Sequence, residues 1–165
     1  MPNKLLSRFI KLSFAFLSLA IASGINDIAK AQETPPAIFG DITIKRPLSK
    51  DPLTVRGMSG GTIPGKDISD RKDTPTGACT GYMDREPDHT LKLENKFDYM
   101  KLVIESPEDT TLIIKGPGGT WCNDEFEDKN PGIIGEWLEG NYQVWIGSYK
   151  EGDYFPYTLK ITESK

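Results

Sequence analysis

From Thr90 onward the chain alternates. Leu91 and Leu93 are interleaved with Thr90, Lys92 and Glu94, and Met100, Leu102 and Ile104 share one parity with Lys101 and Glu105 on the other. Leu112 and Ile114 continue the pattern up to the turn Gly116-Pro117-Gly118-Gly119. Tyr142, Val144 and Ile146 then alternate with Gln143, Trp145 and Gly147, and Phe155, Tyr157, Leu159 and Ile161 with Thr158, Lys160 and Thr162. Short period-two runs bounded by Gly, Pro, Asn and Asp predict half-buried antiparallel strands. No window carries a helical stripe. Two such sheets bury their apolar faces against each other, so the expected fold is all-β, an antiparallel β-sandwich of jelly-roll or Greek-key type.

The preceding part is less regular. Ile42 and Ile44 mark one short strand and Leu53 and Val55 another, after which Gly57, Gly60, Gly61, Pro64 and Gly65 interrupt any element. Residues 66–77 are charged and polar, as in a surface loop. The expected organisation is therefore an irregular extension with short strands over 39–78 and a sandwich core domain over 79–165. A flexible lead-in (QETPPAI) occupies 32–38.

Residues 1–31 have a different character. Lys4, Arg8 and Lys11 precede the apolar run 12–22 (LSFAFLSLAIA), which is too short to span a bilayer and fits the core of a secretory signal. Ala29-Lys30-Ala31 is a small-x-small pattern, so cleavage is expected after Ala31, with Ala22 as the alternative. Removal of Lys4, Arg8, Lys11 and Lys30 with Asp27 moves the formal charge from −4 to −7. It leaves about 134 residues, enough for one core. No membrane span would remain after cleavage. No basic stripe remains either, which argues against a nucleic-acid partner. The expected location is secreted or periplasmic, and in that oxidising compartment Cys79 and Cys122 are expected to pair.

Five segments between 79 and 163 form an ordered set: PDHTLKL (87–93), DTTLIIKGPGGTWCND (109–124), NPGI (130–133), LEGNYQVWIGSY (138–149) and YFPYTLKIT (154–162). In their order and spacing they resemble the bacterial pre-peptidase C-terminal domain, a small secreted β-sandwich found on peptidases and also alone. The resemblance implies a non-catalytic accessory or binding role, with calcium bound in some collagen-directed relatives. The segment 39–78 lies outside the usual extent of that family, and no peptidase domain is attached.

Composition limits the chemistry further. A single histidine excludes any multi-histidine metal site, and two cysteines exclude a zinc-thiolate cluster. The loop after Cys122 is dense in hard oxygen donors, and Asn123, Asp124, Asp128 and Asn130 are the candidate calcium ligands, in a spacing unlike an EF-hand. Asp84, Glu86 and Asp88 alternate as a second acidic cluster. Period two places Trp145 and Tyr149 opposite the face of Tyr142, Val144 and Ile146. Outward aromatic rings can stack on sugars or grip a peptide, which makes Trp145, Tyr149 and Tyr154 the candidate ligand contacts. The expected ligand is an extracellular or periplasmic protein, peptide or polysaccharide. Two other classes are open. One is an exported serine hydrolase using His89 with Ser59, which sits in the glycine-rich stretch Arg56-Gly57-Met58-Ser59-Gly60-Gly61. The other is a structural, envelope-associated protein.

Overall fold

The structure, a computed structural model, describes residues 36–164; the expected signal sequence and its cleavage sites lie outside them. Thirteen strands and one short helix run in the order β1 (Asp41–Ile44), β2 (Leu53–Met58), β3 (Ile63–Pro64), α1 (Gly65–Ser69), β4 (Asp73–Thr74), β5 (Gly77–Ala78), β6 (Tyr82–Met83), β7 (His89–Leu93), β8 (Phe97–Glu105), β9 (Thr110–Gly116), β10 (Gly119–Asn123), β11 (Gly132–Trp137), β12 (Gly140–Ser148) and β13 (Pro156–Thr162). No helix among the described residues is long and apolar enough to cross a membrane.

The fold is the expected all-β sandwich. One sheet has seven strands, with β12 at its centre, flanked on one side by β7 and β6 and on the other by β9 and then β10. The second sheet has four strands in the order β11-β8-β13-β2. The pairings are antiparallel except that of β1 with β7, which is parallel. Between the sheets the alternation seen in the sequence holds. Leu91, Leu93, Met100, Leu102, Ile104, Leu112, Ile114, Tyr142, Val144, Ile146, Leu159 and Ile161 form one buried cluster with Phe97 and Tyr157. Each fully buried aliphatic side chain there stabilises the fold by roughly 1.5–3 kcal/mol relative to exposure.

The expected boundary at 78/79 is not a boundary in the structure. β1 extends the seven-stranded sheet beside β7, and β2 closes the four-stranded sheet beside β13. The described residues form one compact unit. After β2 the chain wraps over the outer face of the seven-stranded sheet. There Met83, Cys79 and Cys122 pack with Ile113 and Trp145 in a second buried cluster, with Ile68 of α1 against it. This wrap lies so close that Gly61 has no room for a side chain: a Cβ there would stand 2.0 Å from the Met83 carbonyl carbon, at a φ of +145°.

Cys79 in the wrap and Cys122 in β10 form the expected disulfide, 43 residues apart. Closing a loop of that length in the unfolded chain stabilises the fold by about 4 kcal/mol in the chain-entropy account. Replacing both cysteines by alanine is expected to cost about that much in a urea titration. A loss below about 1 kcal/mol would show that packing and side-chain hydrogen bonds hold the wrap without the disulfide.

Candidate functional site

The strand directions bring one set of connections to a common end of the sandwich. β8 leaves and β9 enters through 106–109, β10 and β11 are joined by 124–131, and β12 and β13 by 149–155. The end of β2 and the start of β7 lie there as well. The connection 149–155, which crosses from one sheet to the other, is anchored on two sides, with Tyr149 N–H donating to the Asp109 carbonyl (3.3 Å) and Gly152 N–H to the Gly61 carbonyl (3.0 Å), and it is closed internally by Asp153 N–H donating to the Lys150 carbonyl (3.3 Å). On this fixed connection Tyr149 and Tyr154 are 57% and 50% exposed, large apolar faces presented to solvent on a short loop. Beside them is a hollow of about 240 Å³ lined by Glu108, Asp109, Tyr149, Lys150, Asp153 and Phe155. Burial, together with the negative charge of Asp124, raises the Asp109 carboxyl above its usual range, against the opposing effect of Lys129. Glu108, Asp109, Asp124 and Asp153 take part in none of the ion pairs formed among the described residues.

Trp145 does not join the two tyrosines. It points away from the inter-sheet core, as period two requires, but is only 5% exposed. The face it points to is covered by the wrap. Its indole N–H donates to the Arg85 carbonyl (3.3 Å), and the ring packs in the cluster with the disulfide. Trp145 is thus a core residue on the far side of the sheet.

The four candidate calcium ligands do not assemble into a site either. Both ends of the Asn123 carboxamide are engaged by protein: Nδ2 donates to the Thr76 carbonyl (2.8 Å) and Oδ1 accepts from Gly132 N–H (2.9 Å). Asn130 Oδ1 accepts from Ser106 N–H (3.0 Å), and Asp124 Oδ2 accepts from the Thr80 hydroxyl (3.3 Å). Asp128 is exposed in a tight turn at a φ of +61°. Among the described residues no three acidic, His or Cys side chains converge as metal ligands. The amides of this loop are fasteners between β10, β11 and the wrap.

The hydrolase pairing is not formed. The Ser59 hydroxyl is bonded to the Ser148 hydroxyl (2.9 Å) and accepts from Phe155 N–H (3.3 Å). His89 Nε2 is bonded instead to the Tyr157 hydroxyl (2.9 Å). Ser59 and His89 are both fully buried, so neither is open to a substrate.

Two features escape the sequence. Trp121, Trp137 and Tyr142 come within 5.1–6.4 Å of one another along a groove of about 190 Å³, which also touches Ile134 and Glu136. Asp88, the third member of the supposed acidic cluster, is buried away from solvent; its Oδ2 accepts from Ile146 N–H (2.7 Å), and Asp88 and Tyr157 each influence the other's proton affinity. Nothing in the spacing of 88, 89 and 157 announces this cluster.

Asn123→Ala removes two fasteners at once and leaves a buried Gly132 N–H unpaired. It is expected to destabilise the fold by about 2 kcal/mol, equally in calcium and in chelator. A loss seen only in the presence of calcium would restore the loop as an ion site.

No family model matches the chain. It is 25% identical over 114 residues to an uncharacterized protein of Synechococcus elongatus, across 67% of this chain and 75% of that protein. Among solved structures it is similar to a periplasmic inhibitor of g-type lysozyme from Aeromonas hydrophila, at a TM-score of 0.40 and 14% identity over 74% of this chain and 96% of that one. It is also similar to the pre-peptidase C-terminal domain of a Bacillus anthracis collagenase, at a TM-score of 0.45 and 10% identity over 79% of this chain and all of that one, the type of domain that the segments between 79 and 163 resemble.

Proposed function

We propose that the protein is an exported, non-catalytic binding module that takes hold of a partner protein with the loop end of its sandwich. The observation that carries this is the connection 149–155, whose two tyrosines stand exposed on a backbone tied to neighbouring segments. Large rigid rings on a pre-ordered loop lose little entropy on binding, which is why Tyr is enriched at the energetic centres of interfaces. The hollow beside Tyr149 adds three carboxylates, Glu108, Asp109 and Asp153, to one lysine, so the favoured partner surface is basic. Export is supported by the disulfide, which persists in oxidising compartments. The burial of Ser59 and His89, each bonded to a different side chain, speaks against the Ser59–His89 hydrolase alternative.

The test is capture by the whole protein from periplasmic and culture-medium fractions of its own host, followed by affinity measurement on the protein retained. Tyr149→Ala with Tyr154→Ala is expected to weaken that affinity by roughly thirtyfold or more, as hot-spot truncation does, with little change in melting temperature. Raised salt should slow association if the partner is basic. Affinity untouched by the double variant would sink the assignment of this face. Retention of a polysaccharide in place of a protein would overturn the partner class.

A further inference from the structure

The loop end contains a second device, independent of any partner. Residues 38–40 run across it before entering β1. Ile38 N–H donates to the Pro87 carbonyl (2.9 Å) and Phe39 N–H to the carbonyl of Asp88 itself (2.8 Å). The Phe39 ring lies 6.0 Å from the His89 ring and meets Tyr157 edge-on at 6.3 Å. Gly57 makes the niche: a Cβ there would stand 2.3 Å from the Tyr157 hydroxyl and 2.9 Å from the Phe39 ring. His89 Nδ1 is buried beside the Gly40 backbone without a well-formed hydrogen bond. Beyond this cover β1 is an edge strand of four residues, paired on one side only. Short terminal edge strands are the part of a sheet that opens first.

We propose that residues 38–40 and β1 form a releasable strap, and that the proton occupancy of the cluster beneath it, Asp88, Tyr157 and His89, sets how readily it opens. A strap bonded to the backbone of the ionisable residue, with its ring over the other two, has to move before water can reach a new charge there. The charged and titratable groups facing the cluster are few. β13 supplies Tyr157, the turn before β7 supplies Asp84, and β12 supplies only the Ile146 N–H. Neither Asp88 nor His89 forms an ion pair among the described residues.

The direction of the response is set by the difference between the closed and exposed states. Burial pushes the Asp88 carboxyl from 3.8 up to about 8, with Asp84 adding to the rise and the Ile146 N–H opposing it. Burial pushes His89 from 6.5 down to about 4, with the Gly40 backbone opposing. Opening returns both groups to their exposed values. The raised Asp88 makes the closed strap lose stability as pH rises from about 4 to about 8, whereas the lowered His89 makes it gain stability from about 4 to about 6.5. Over the shared window the two responses cancel. From pH 6.5 to 8 only Asp88 acts, and strap opening grows by about tenfold per unit, roughly thirtyfold in all.

Hydrogen exchange on the whole protein, corrected for intrinsic rates, reads this directly. Peptides covering 38–44 are expected to exchange through an opening of their own, ahead of those from β9 and β12. That opening should be level from pH 4 to 6.5 and rise roughly thirtyfold by pH 8. Asp88→Asn, which keeps an acceptor for Ile146 N–H, should abolish the rise above pH 6.5 and leave opening that diminishes from pH 4 to 6.5. His89→Gln should produce a continuous rise from pH 4 to 8. These opposite profiles are not produced by a merely weakened strand. Strap amides protected as strongly as β9 at every pH, a level profile in the wild type, or an alkaline rise that persists in Asp88→Asn would each overturn the proposal. Should Asp88→Asn fail to fold, the wild-type and His89→Gln profiles decide it.

Discussion

The seven-stranded sheet is apolar on both faces, and the rest of the architecture answers to that fact. Tyr142, Val144 and Ile146 of β12 and Leu112 and Ile114 of β9 face the second sheet, while Ile113 and Trp145 from the same two strands face the other way. A sandwich of two layers buries only the first set. Left to water, the second would be an apolar patch at the centre of the sheet, a liability for aggregation. The wrap removes it with α1, the two-stranded ribbon β4–β5 and the chain around β3 and β6, the last two of which also join the edge of the seven-stranded sheet. Ile68, Cys79 and Met83 pack onto Ile113 and Trp145, and between these contacts the backbones approach closely, which is why glycine recurs here: at Gly81, as at Gly61, a Cβ would collide, in this case with the Thr111 side chain at 2.3 Å. A cover of this kind has little regular hydrogen bonding of its own. Its attachment to β10 comes instead from the disulfide and from side chains: Thr74 and Thr76 bond the Cys122 backbone, and Asn123 bonds the Thr76 carbonyl.

The same arrangement decides what could be read in the sequence. Period two correctly sets the core-facing positions it names in β7, β8, β9, β12 and β13, because the inter-sheet core alternates with something else, and it misses Phe97, which reaches the same core from the opposite parity. It does not tell what the something else is. Trp145 and Tyr149 share a parity in β12 and its extension, yet one lies under the wrap and the other beyond its edge. The wrap itself has no period, since it is shaped to the surface it covers, and so it looks like a loop. β1 and β2 are visible as short alternations, but their partners β7 and β13 lie far along the chain, and a parallel pairing leaves no turn signal to find. The loop after Cys122 illustrates a different gap. Carboxamides rich in oxygen suit a cation and suit backbone amides equally well; only the neighbours at Thr76, Gly132 and Ser106 choose between the two.

Polar burial is concentrated at the loop end. Ser59, Asp88, His89, Thr110, Asn123 and Ser148 are all buried there, while the middle of the sandwich is hydrocarbon. The two regions contribute different things. Apolar contact is non-directional and supplies most of the stability. A buried hydrogen bond adds only about 1 kcal/mol net, but it fixes a distance and an angle. The Ser59 and Ser148 hydroxyls hold the end of β2 to the end of β12, and Ser59 also receives Phe155 N–H at the base of the connection that carries the tyrosines. The loops that present Tyr149 and Tyr154 are therefore positioned by directional bonds on a scaffold stabilised elsewhere. Changes in the hydrocarbon middle should alter how much of the protein is folded. Changes among these polar groups should alter the shape it offers, and the 38–40 crossing belongs to that second group, because it is tied to the backbone of 87 and 88 and its ring lies over His89 and Tyr157, where the core ends in polar atoms.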